Sequence, residues 1–344
     1  MKSARKCCGS CIGDRSISRD IIPMHAHETG NCPRCGTAGQ RLVEPHTLRD
    51  VFDLVLGIYT PSAQGDSLYD LLKQDWALFD NERMDEANAL MLLADILDDG
   101  ERVRQLYVAS GLNQSNALER WDDFRRELMH TNRFFLKTEI NLERLRQLLS
   151  HLVLRDEDIP EYWFRARIQD GDAPFSSSDM GAPPTRKASH GRANPAGIPY
   201  LYLASNAATA VSELRPHTGE AATVARFTIP RGSIRVVDLT SPRKTVSPFI
   251  LEDQRDVALL RGDIAFLERL GEELTRPVLP GSAAVDYTPS QYLCEFVKHC
   301  GYHGVRYRSS VGDGVNLALF DPAHATILET AVHRVARVHV ELRT

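Results

Sequence analysis

Two closely spaced pairs of cysteines near the start of the chain most strongly constrain how its N-terminal part can fold. Cys8 and Cys11 stand in "CGSC", and Cys32 and Cys35 stand in "CPRC" further along the chain. Two C-x2-C pairs separated in this way let four thiolates converge on one Zn2+ ion with tetrahedral geometry. Five of the seven cysteines lie in this first part of the chain, and in a reducing compartment such clustering favours metal ligation over disulfides.

The residues around these cysteines indicate a structural zinc rather than a catalytic one. Residues 1–42 contain few apolar side chains, so metal binding would supply the folding free energy of this segment. Four cysteines also close the coordination shell and leave no position for a substrate. Cys7, His25 and His27 are spare potential ligands. The alternative is that the cysteines form a redox-active or disulfide pair.

The bulk composition of the chain excludes several classes of protein. With 344 residues, 42% of them hydrophobic, the chain is typical of a globular protein with room for two domains. Its net charge of -5 argues against general nucleic-acid binding. No apolar run approaches the roughly 20 residues that a membrane span needs, and the N-terminus lacks the apolar stretch of a signal peptide. We therefore expect a cytoplasmic protein without a membrane partner, and the sequence leaves its oligomeric state open.

The spacing of apolar residues changes near residue 155 and predicts two further domains. Residues 43–155 repeat apolar residues every three or four positions, which predicts a helical bundle with short loops. The helical stretches are "HTLRDVFDLVLGIY", "DSLYDLLKQDWALF", "DEANALMLLADILDD", "LERWDDFRRELM" and "NLERLRQLLSHLVL". Residues 156–344 alternate strand-like runs, turns and a few helical patterns, which predicts an α+β domain. The strand-like runs are "EYWFRARI", "IPYLYLAS", "ATVARFTI", "IRVVDL", "HGVRYRSS", "VNLALF" and "RVARVHVEL".

Two other features of these domains have both a functional and a structural interpretation. The Ser/Pro/Gly-rich stretch 170–191 is a long loop, and a loop of this length in a compact domain is either disordered or functional. Arg125 and His130 have the R-x4-H spacing that some helical ribonucleases use to place a base near a phosphate. We favour a structural or solvated role for both, because this spacing arises by chance in many helices.

Two strand-like runs carry side chains suited to a ligand. Alternation places Arg165 and Arg167 on one face of the first run, where burying two unpaired guanidinium groups would be costly. An anion would offset that cost, because guanidinium donors match phosphate oxygens; the alternative is a pair of surface arginines. Tyr200 and Tyr202 share one face of "IPYLYLAS", where a tyrosine either stacks on a planar ligand ring or serves packing alone.

The helix after this strand carries a carboxylate at the border of the core. Ser205 or Asn206 is its predicted N-cap, and the helical period puts Glu213 on the flank among small residues. Most isolated glutamates on helices face solvent, so this position alone would not single out Glu213. Ser309 and Ser310 end the run "HGVRYRSS", a position that can direct a hydroxyl into a cleft. Because there is no G-x-S-x-G motif, we interpret Ser309 as a hydrogen-bonding residue rather than a nucleophile.

Taken together, the order Arg, then Tyr and Glu, then Ser resembles the RES family, which is named for Arg, Glu and Ser. The matching stretches are "FRARI", "GRANPAGIPYLYLASNAATAVSEL" and "GVRYRSS" with "GVNLALF". The cysteine-rich "CCGSCIGD" and "GNCPRCG", followed by a helical zone, resemble the HEPN/RES N-terminal domain that is fused to RES domains. The resemblance thus predicts three parts: a zinc-binding segment at 1–42, a HEPN-like helical domain at 43–155 and a RES catalytic domain at 156–344.

What the resemblance implies is an ADP-ribosyltransferase-like fold with a mixed or antiparallel sheet, and an NAD+-degrading toxin. Such toxins belong to toxin–antitoxin pairs and to bacterial defence, so an antitoxin or regulatory protein is the implied partner. Characterised members are similar to NAD+ phosphorylases, transferases that use inorganic phosphate to release nicotinamide and ADP-ribose-1''-phosphate. The implied catalytic residues are Glu213, Arg165 and Ser309, and the implied NAD+-binding residues are Arg192, Tyr202 and Asn316. The choice between Arg165 and Arg167 as the family arginine stays open.

The residues present suit this chemistry. Nicotinamide leaves as a neutral base, so one carboxylate suffices where an ordinary glycosidase uses two. We expect Glu213 to hold the ribose hydroxyls and stabilise oxocarbenium-like charge, and the arginines to hold pyrophosphate or phosphate. Tyr202 would stack on the nicotinamide or ribose. Two alternatives remain: ADP-ribosyl transfer or NAD+ hydrolysis at the same site, and a non-catalytic nucleic-acid or protein sensor.

Overall fold

The computed structural model of the chain describes residues 6–110, 116–171 and 173–339. Packing divides the chain into two compact units. The first unit comprises Met1–Leu118 and Pro242–Ala265, and the second comprises Glu119–Ser241 and Phe266–Thr344. These units differ from the three predicted domains, because long-range packing joins segments that the local pattern of the sequence treats separately.

The first unit contains mostly helices and two small antiparallel sheets. Its helices are α1 (Gly9–Ile12), α2 (Ile22–His25), α3 (Arg49–Leu56), α4 (Leu68–Trp76), α5 (Glu86–Leu97), α9 (Pro242–Thr245) and the first part of α10 (Gln254–Thr275). Its strands are β1 (Glu28–Gly30) paired with β2 (Gln40–Leu42), and β3 (Tyr59–Asp66) paired with β4 (Tyr107–Ala109). Ser67 and Asp85 cap α4 and α5 by accepting backbone N–H bonds, which explains where these two predicted helices begin.

The structure of residues 43–155 differs in two ways from the helical bundle that the apolar spacing predicts. The β3–β4 sheet lies in a zone whose apolar spacing predicts helices alone, because the exposed polar residues of β3 give no alternating signal. In addition, α6 (Ala117–His130) and α7 (Leu142–Ser150) belong almost entirely to the second unit, whereas the other helices of the predicted bundle belong to the first. The HEPN-like domain at 43–155 stays a prediction. Apolar spacing marks the buried face of a helix but not the element against which that face packs.

The second unit is built around a seven-stranded mixed sheet. Its strands are β5 (Tyr162–Ile168), β6 (Leu201–Ala204), β7 (Ala221–Thr228), β8 (Val236–Asp238), β9 (Gly304–Arg308), β10 (Val315–Leu319) and β11 (Thr326–Arg334), in the spatial order β11-β7-β5-β6-β10-β9-β8. All pairs are antiparallel except β8 with β9. The remaining helices are α8 (Ala207–Ser212), α11 (Ala283–Asp286), α12 (Thr288–His299) and the second part of α10. The predicted α+β class is confirmed; the ADP-ribosyltransferase-like fold stays a prediction.

Alternation along β5, β6 and β7 separates two apolar layers. Trp163, Leu201, Leu203 and Phe227 belong to the main core of this unit, whereas a smaller cluster that includes Ala166 packs with α8. The odd-numbered residues of β5 therefore start on the main-core side of the sheet and the even-numbered residues on the α8 side. This arrangement brings α8, and the carboxylate that follows it, over the middle of the sheet.

The last strand is a further correction. The run "RVARVHVEL" predicts a strand at 334–342, but β11 ends at Arg334 and residues 335–339 form no strand. Residues 340–342 lie outside the described part of the chain. β11 is an edge strand whose side chains are mostly exposed, so its sequence lacks the clear alternation of a half-buried strand. Within the described residues, no helix combines the length and apolar character needed to cross a membrane.

Candidate active site

A cavity of about 480 Å³ lies in the second unit, against β5, β6, β10 and α8. The residues that line it include five of the predicted site residues: Arg165, Arg192, Tyr202, Glu213 and Asn316. The sixth, Ser309, reaches the cavity through its hydrogen bond to Glu213. The structure therefore brings together side chains that are up to 151 positions apart in the chain, from Arg165 to Asn316.

Glu213 is held in place through one of its two carboxylate oxygens. Its Oε1 accepts a 2.7 Å hydrogen bond from Ser309 Oγ and a 2.6 Å hydrogen bond from Asn316 Nδ2. Its Oε2 has no hydrogen-bond partner among the residues that the structure describes. One oxygen thus fixes the orientation of the carboxylate, and the other is left to accept a hydrogen bond from a ligand.

The backbone around Glu213 follows from local sequence signals. Asn206 is the N-cap of α8 and its side chain accepts the N–H of Thr209 at 2.8 Å, which settles the two predicted caps in its favour. Ser205 instead accepts the N–H of Val315 at 3.0 Å and ties the start of α8 to β10. Asn316, the next residue of β10, is buried with 6% of its surface exposed. Of the two partners of Glu213, Asn316 therefore lies within β10, and Ser309 lies directly after β9.

Arg165 occupies a gap between two strands. β5 and β6 pair at one position only, Phe164 with Ala204. Beyond that pair the guanidinium of Arg165 reaches β6, where Nη1 donates a 3.4 Å hydrogen bond to the carbonyl oxygen of Tyr202. Its buried Nε has no hydrogen-bond partner. Burial, and then the nearby charge of Arg167, lower the pKa of Arg165, so the site holds a positive charge that the surrounding protein does not neutralise.

Arg167 differs from Arg165 both in its hydrogen bonding and in its position relative to the cavity. Its guanidinium lies 3.9 Å from the ring centroid of Phe175, and its Nη1 donates a 2.8 Å hydrogen bond to the carbonyl oxygen of Asp179. Both partners belong to the long loop 170–191, so Arg167 anchors this loop, and it does not line the cavity. Of the two arginines that the sequence left open, Arg165 is the one at the cavity.

Arg192 lies on a tight turn that α12 and β6 hold from two sides. Its Nη1 donates a 2.7 Å hydrogen bond to the carbonyl oxygen of Arg276, and its guanidinium lies 5.2 Å from the ring centroid of Tyr287. Neither contact neutralises its charge. Its own carbonyl oxygen accepts a 2.6 Å hydrogen bond from Ser290 Oγ, at the start of α12.

Tyr202 supports this turn through its hydroxyl. The hydroxyl donates to Asn194 Oδ1 at 2.7 Å and accepts the N–H of Ala193 at 2.9 Å, and burial raises the pKa of Tyr202. A Cβ on Gly191 would lie 2.5 Å from the Tyr202 hydroxyl oxygen and 2.3 Å from Asn194 Oδ1, so the turn needs glycine there. The ring still lines the cavity; its predicted stacking on a ligand stays a prediction.

Sequence reasoning missed several residues of the cavity wall. The missed residues with polar or aromatic side chains are His190, Arg215, Tyr287 and Tyr307, whereas Ser310, which follows Ser309 at the strand end, also lines the cavity. Arg215 stands out because its backbone has a φ of 51°, in the left-handed region that few residues other than glycine adopt. No local pattern in the sequence indicates that the backbone of Arg215 is left-handed.

The R-x4-H pair of the helical zone lies away from this cavity's wall. Arg125 Nε forms an ion pair with Glu273 Oε1 at 2.8 Å, and the Glu273 side chain has no exposed surface. His130 is exposed at the end of α6. The structural role that we favoured for Arg125 agrees with this buried ion pair.

The predicted metal ligands converge in the first unit. Cys8, Cys11, Cys32 and Cys35 are buried, and their sulfur atoms lie within 4.8 Å of one another. Three measured separations between sulfurs are 3.4, 3.6 and 3.9 Å. A tetrahedral zinc with Zn–S bonds of about 2.3 Å requires sulfurs about 3.8 Å apart, so the four thiolates fit this ion.

The spare ligands do not join the four cysteines. The cluster contains none of Cys7, His25 and His27. Burial raises the pKa of Cys7 to about 12, which makes it an inert thiol, and both histidines are exposed. Apolar burial also contributes to this segment more than its composition predicts, because Ile12, Ile17 and Leu42 are all buried.

Comparison with known proteins gives one family. The family model described as "RES domain" matches residues 162–342, a range that contains the seven-stranded sheet and all six predicted site residues. A solved structure, the MbcT–MbcA toxin–antitoxin complex of M. tuberculosis, contains a similar chain: 17% sequence identity, a TM-score of 0.32, and coverage of 57% of this chain and 96% of that one. The search of curated proteins gives no significant match.

Proposed function

The chain belongs to the RES domain family, and from this premise we propose that it degrades NAD+ by breaking the bond between nicotinamide and ribose. The proposed reaction is phosphorolysis, which yields nicotinamide and ADP-ribose-1''-phosphate. The bonding electron pair leaves with the nicotinamide nitrogen, and the pyridinium becomes a neutral base that needs no proton from the enzyme. A phosphate oxygen then forms the new bond to the same ribose carbon.

Glu213 is the proposed catalytic carboxylate. Its Oε2 is free to accept a hydrogen bond from a hydroxyl of the nicotinamide ribose. The hydrogen bonds that Ser309 and Asn316 donate to Oε1 keep the carboxylate in one orientation. Positive charge develops on this ribose as the bond breaks. A carboxylate held beside it lowers the free energy of the transition state and needs no reorganisation during the reaction.

The two arginines of the cavity are the proposed anion site. Arg165 has an unpaired buried donor, and Arg192 has a carbonyl and an aromatic ring as neighbours. A guanidinium without a carboxylate partner can bind phosphate oxygens through two parallel hydrogen bonds. We infer that these groups bind the attacking phosphate or the pyrophosphate of NAD+ and so bring the reactants together.

One observation supports this proposal more strongly than any other observation does. The same cavity contains a carboxylate with one fixed and one free oxygen, and a buried guanidinium that lacks a counter-charge. Among the described residues, no ion pair joins Glu213 to Arg165. Both groups are therefore left to interact with a substrate whose ribose becomes positively charged in the transition state and whose phosphates are anionic.

The zinc site of the first unit has no part in this chemistry. Four thiolates would hold the ion, and a zinc ion bound in this way would stabilise the fold of the N-terminal segment. We further expect a partner protein, an antitoxin in function, because a cell that makes an NAD+-depleting enzyme needs to restrain it.

The test is NAD+ turnover by the purified chain, with and without inorganic phosphate, with products separated by chromatography. We expect turnover that depends on phosphate and produces ADP-ribose-1''-phosphate. Glu213→Gln keeps the size of the side chain but removes its charge, so we expect turnover at least about 100-fold lower with unchanged thermal stability. Glu252→Gln, an exposed glutamate of the first unit, is the control and should keep full activity.

The products also separate the alternatives. Free ADP-ribose formed without phosphate would mean hydrolysis, and a modified macromolecule would mean ADP-ribosyl transfer. If the wild-type chain consumes no NAD+ with any of these acceptors, or if Glu213→Gln remains fully active, the proposal is wrong. A non-catalytic sensor would then be the better description.

A further inference from the structure

A second cavity, of about 920 Å³, adjoins the candidate active site on the other side of α8. Ala210, Glu213 and Leu214 face the first cavity, whereas Ala207, Ala208, Val211 and Ser212 face the second. Arg215 and Val311 line both cavities. The two spaces are therefore neighbours, and Arg215 lies where they adjoin.

The second cavity has apolar walls and a positive charge. Its apolar lining comes from the small residues of α8, from Val311, and from Val335 and Val338 after β11. Its basic lining consists of Arg215, Arg334, Arg337, His333 and His339. No aspartate or glutamate among the described residues lines it. This combination suits a ligand with a flat apolar part and an anionic part.

Arg215 is one of four non-glycine residues with a positive φ in the described part of the chain, and of these four it is the one that lines the cavities. Its φ of 51° places a non-glycine residue in the left-handed region, which is a less stable backbone conformation. The hydrogen bond of its side chain, from Nη2 to the carbonyl oxygen of Val278, is long at 3.5 Å. Strained residues persist mainly where function requires them.

We propose that Arg215 is a specificity-determining residue that binds the pyrophosphate of NAD+, and that the second cavity receives the adenosine half. The inference rests on the proposed function, since it assumes that the nicotinamide ribose occupies the first cavity beside Glu213. Arg215 lies two residues after Glu213 and lines both cavities. A dinucleotide with its nicotinamide end at Glu213 would place its anionic centre near Arg215 and its adenine against the valines.

The proposal is tested with two half-substrates and variants of the full chain. ADP represents the half assigned to Arg215 and the second cavity, and nicotinamide riboside represents the other half. We expect Arg215→Ala to weaken ADP binding in calorimetry by about tenfold or more, the loss of one charge-assisted hydrogen bond pair. We expect kcat/KM to fall by a similar factor for NAD+ but to change less than about twofold for nicotinamide riboside.

Further variants separate a binding role from a structural one. Arg215→Gly removes the side chain and relieves the left-handed backbone, so it should weaken ADP binding equally while its Tm stays the same or rises. Arg215→Lys keeps the charge and should recover part of the affinity. The control is Arg231→Ala, an exposed arginine in the turn between β7 and β8, which should match the wild type.

Two results would overturn the inference: unchanged ADP affinity in Arg215→Ala, or an equal loss of kcat/KM for NAD+ and nicotinamide riboside. A failure of the proposed catalytic function would give a different result from a failure of this binding proposal. ADP binding requires no chemistry, so a wild-type chain that binds ADP through Arg215 but consumes no NAD+ would refute the catalytic proposal and leave this binding site intact.

Discussion

Replacing the two arginines of β5 by methionine should change stability in opposite directions. Arg165 and Arg167 lie two residues apart on one strand, yet one faces an unfilled anion site and the other is satisfied by protein groups. Methionine matches the length of the arginine stem and removes the guanidinium. The pair is therefore an internal control for the claim that Arg165 serves a ligand in the cavity rather than the packing of the sheet.

The magnitudes follow from the contacts of each side chain. Arg165→Met removes a buried unsatisfied donor, worth about 1–3 kcal/mol, and loses one long hydrogen bond worth at most about 1 kcal/mol. We expect a net stabilisation of about 1 kcal/mol. Arg167→Met loses a charge-assisted hydrogen bond and a cation–π contact, which together contribute about 1–2 kcal/mol at a partly exposed site. The two variants should thus differ by about 2–3 kcal/mol in free energy of unfolding.

Urea unfolding measures this difference directly, and NAD+ turnover measures its functional counterpart. Arg165→Met should be the more stable protein and lose at least about 100-fold in turnover, because the anion loses its main donor. Arg167→Met should be less stable and stay within about fivefold of the wild type. An Arg165→Met variant that is destabilised by more than about 1 kcal/mol would show that the protein itself satisfies this guanidinium, and the anion-site argument would fail.

Three further predictions concern the metal, acid stability and the helix cap. Cys32→Ser should abolish binding of one zinc per chain, measured by atomic spectroscopy, and unfold the N-terminal segment, whereas Cys7→Ser should keep the zinc. Two backbone N–H groups, each 2.8 Å away, hold the pKa of Glu127 below its usual value. A group with a depressed pKa stabilises the fold above its unfolded pKa of about 4.5, and this contribution is lost as the pH falls through its folded pKa. Glu127→Gln should therefore be less stable than the wild type at pH 7 and equal to it in strong acid. Equal urea midpoints of the two proteins at pH 7 would contradict this. Asn206→Ala should cost about 1 kcal/mol by removing the cap of α8, and an unchanged urea midpoint would show that the cap is not needed.

Much of the candidate site was predictable because its signals are local. The two C-x2-C pairs predicted the four-sulfur cluster, since each short turn brings its own two thiolates together and one ion accepts only four. Alternation and capping located β5, β6, α8 and β10, and the order of Arg, Tyr, Glu and Ser along them led to the RES family, which the family match confirms. The C-x2-C turns, the strand alternation and the helix cap each depend on residues close together in the chain, and the order of the four residue types can be read along it, so one sequence is enough to show them.

Other features depend on which elements meet, and only the tertiary structure decides that. Arg165 and Arg167 are equivalent in the alternation of β5, and the cavity belongs to Arg165 because β5 and β6 separate beyond a single residue pair. Only one carboxylate oxygen of Glu213 is hydrogen-bonded, because both of its partners, Ser309 on a loop and Asn316 on a strand, lie about 100 positions away and donate to that same oxygen. The sequence by itself determined the chemical groups of this protein and their local geometry. The long-range packing decided which of them lose their counter-charges, because burial and partner choice are properties of the assembled fold.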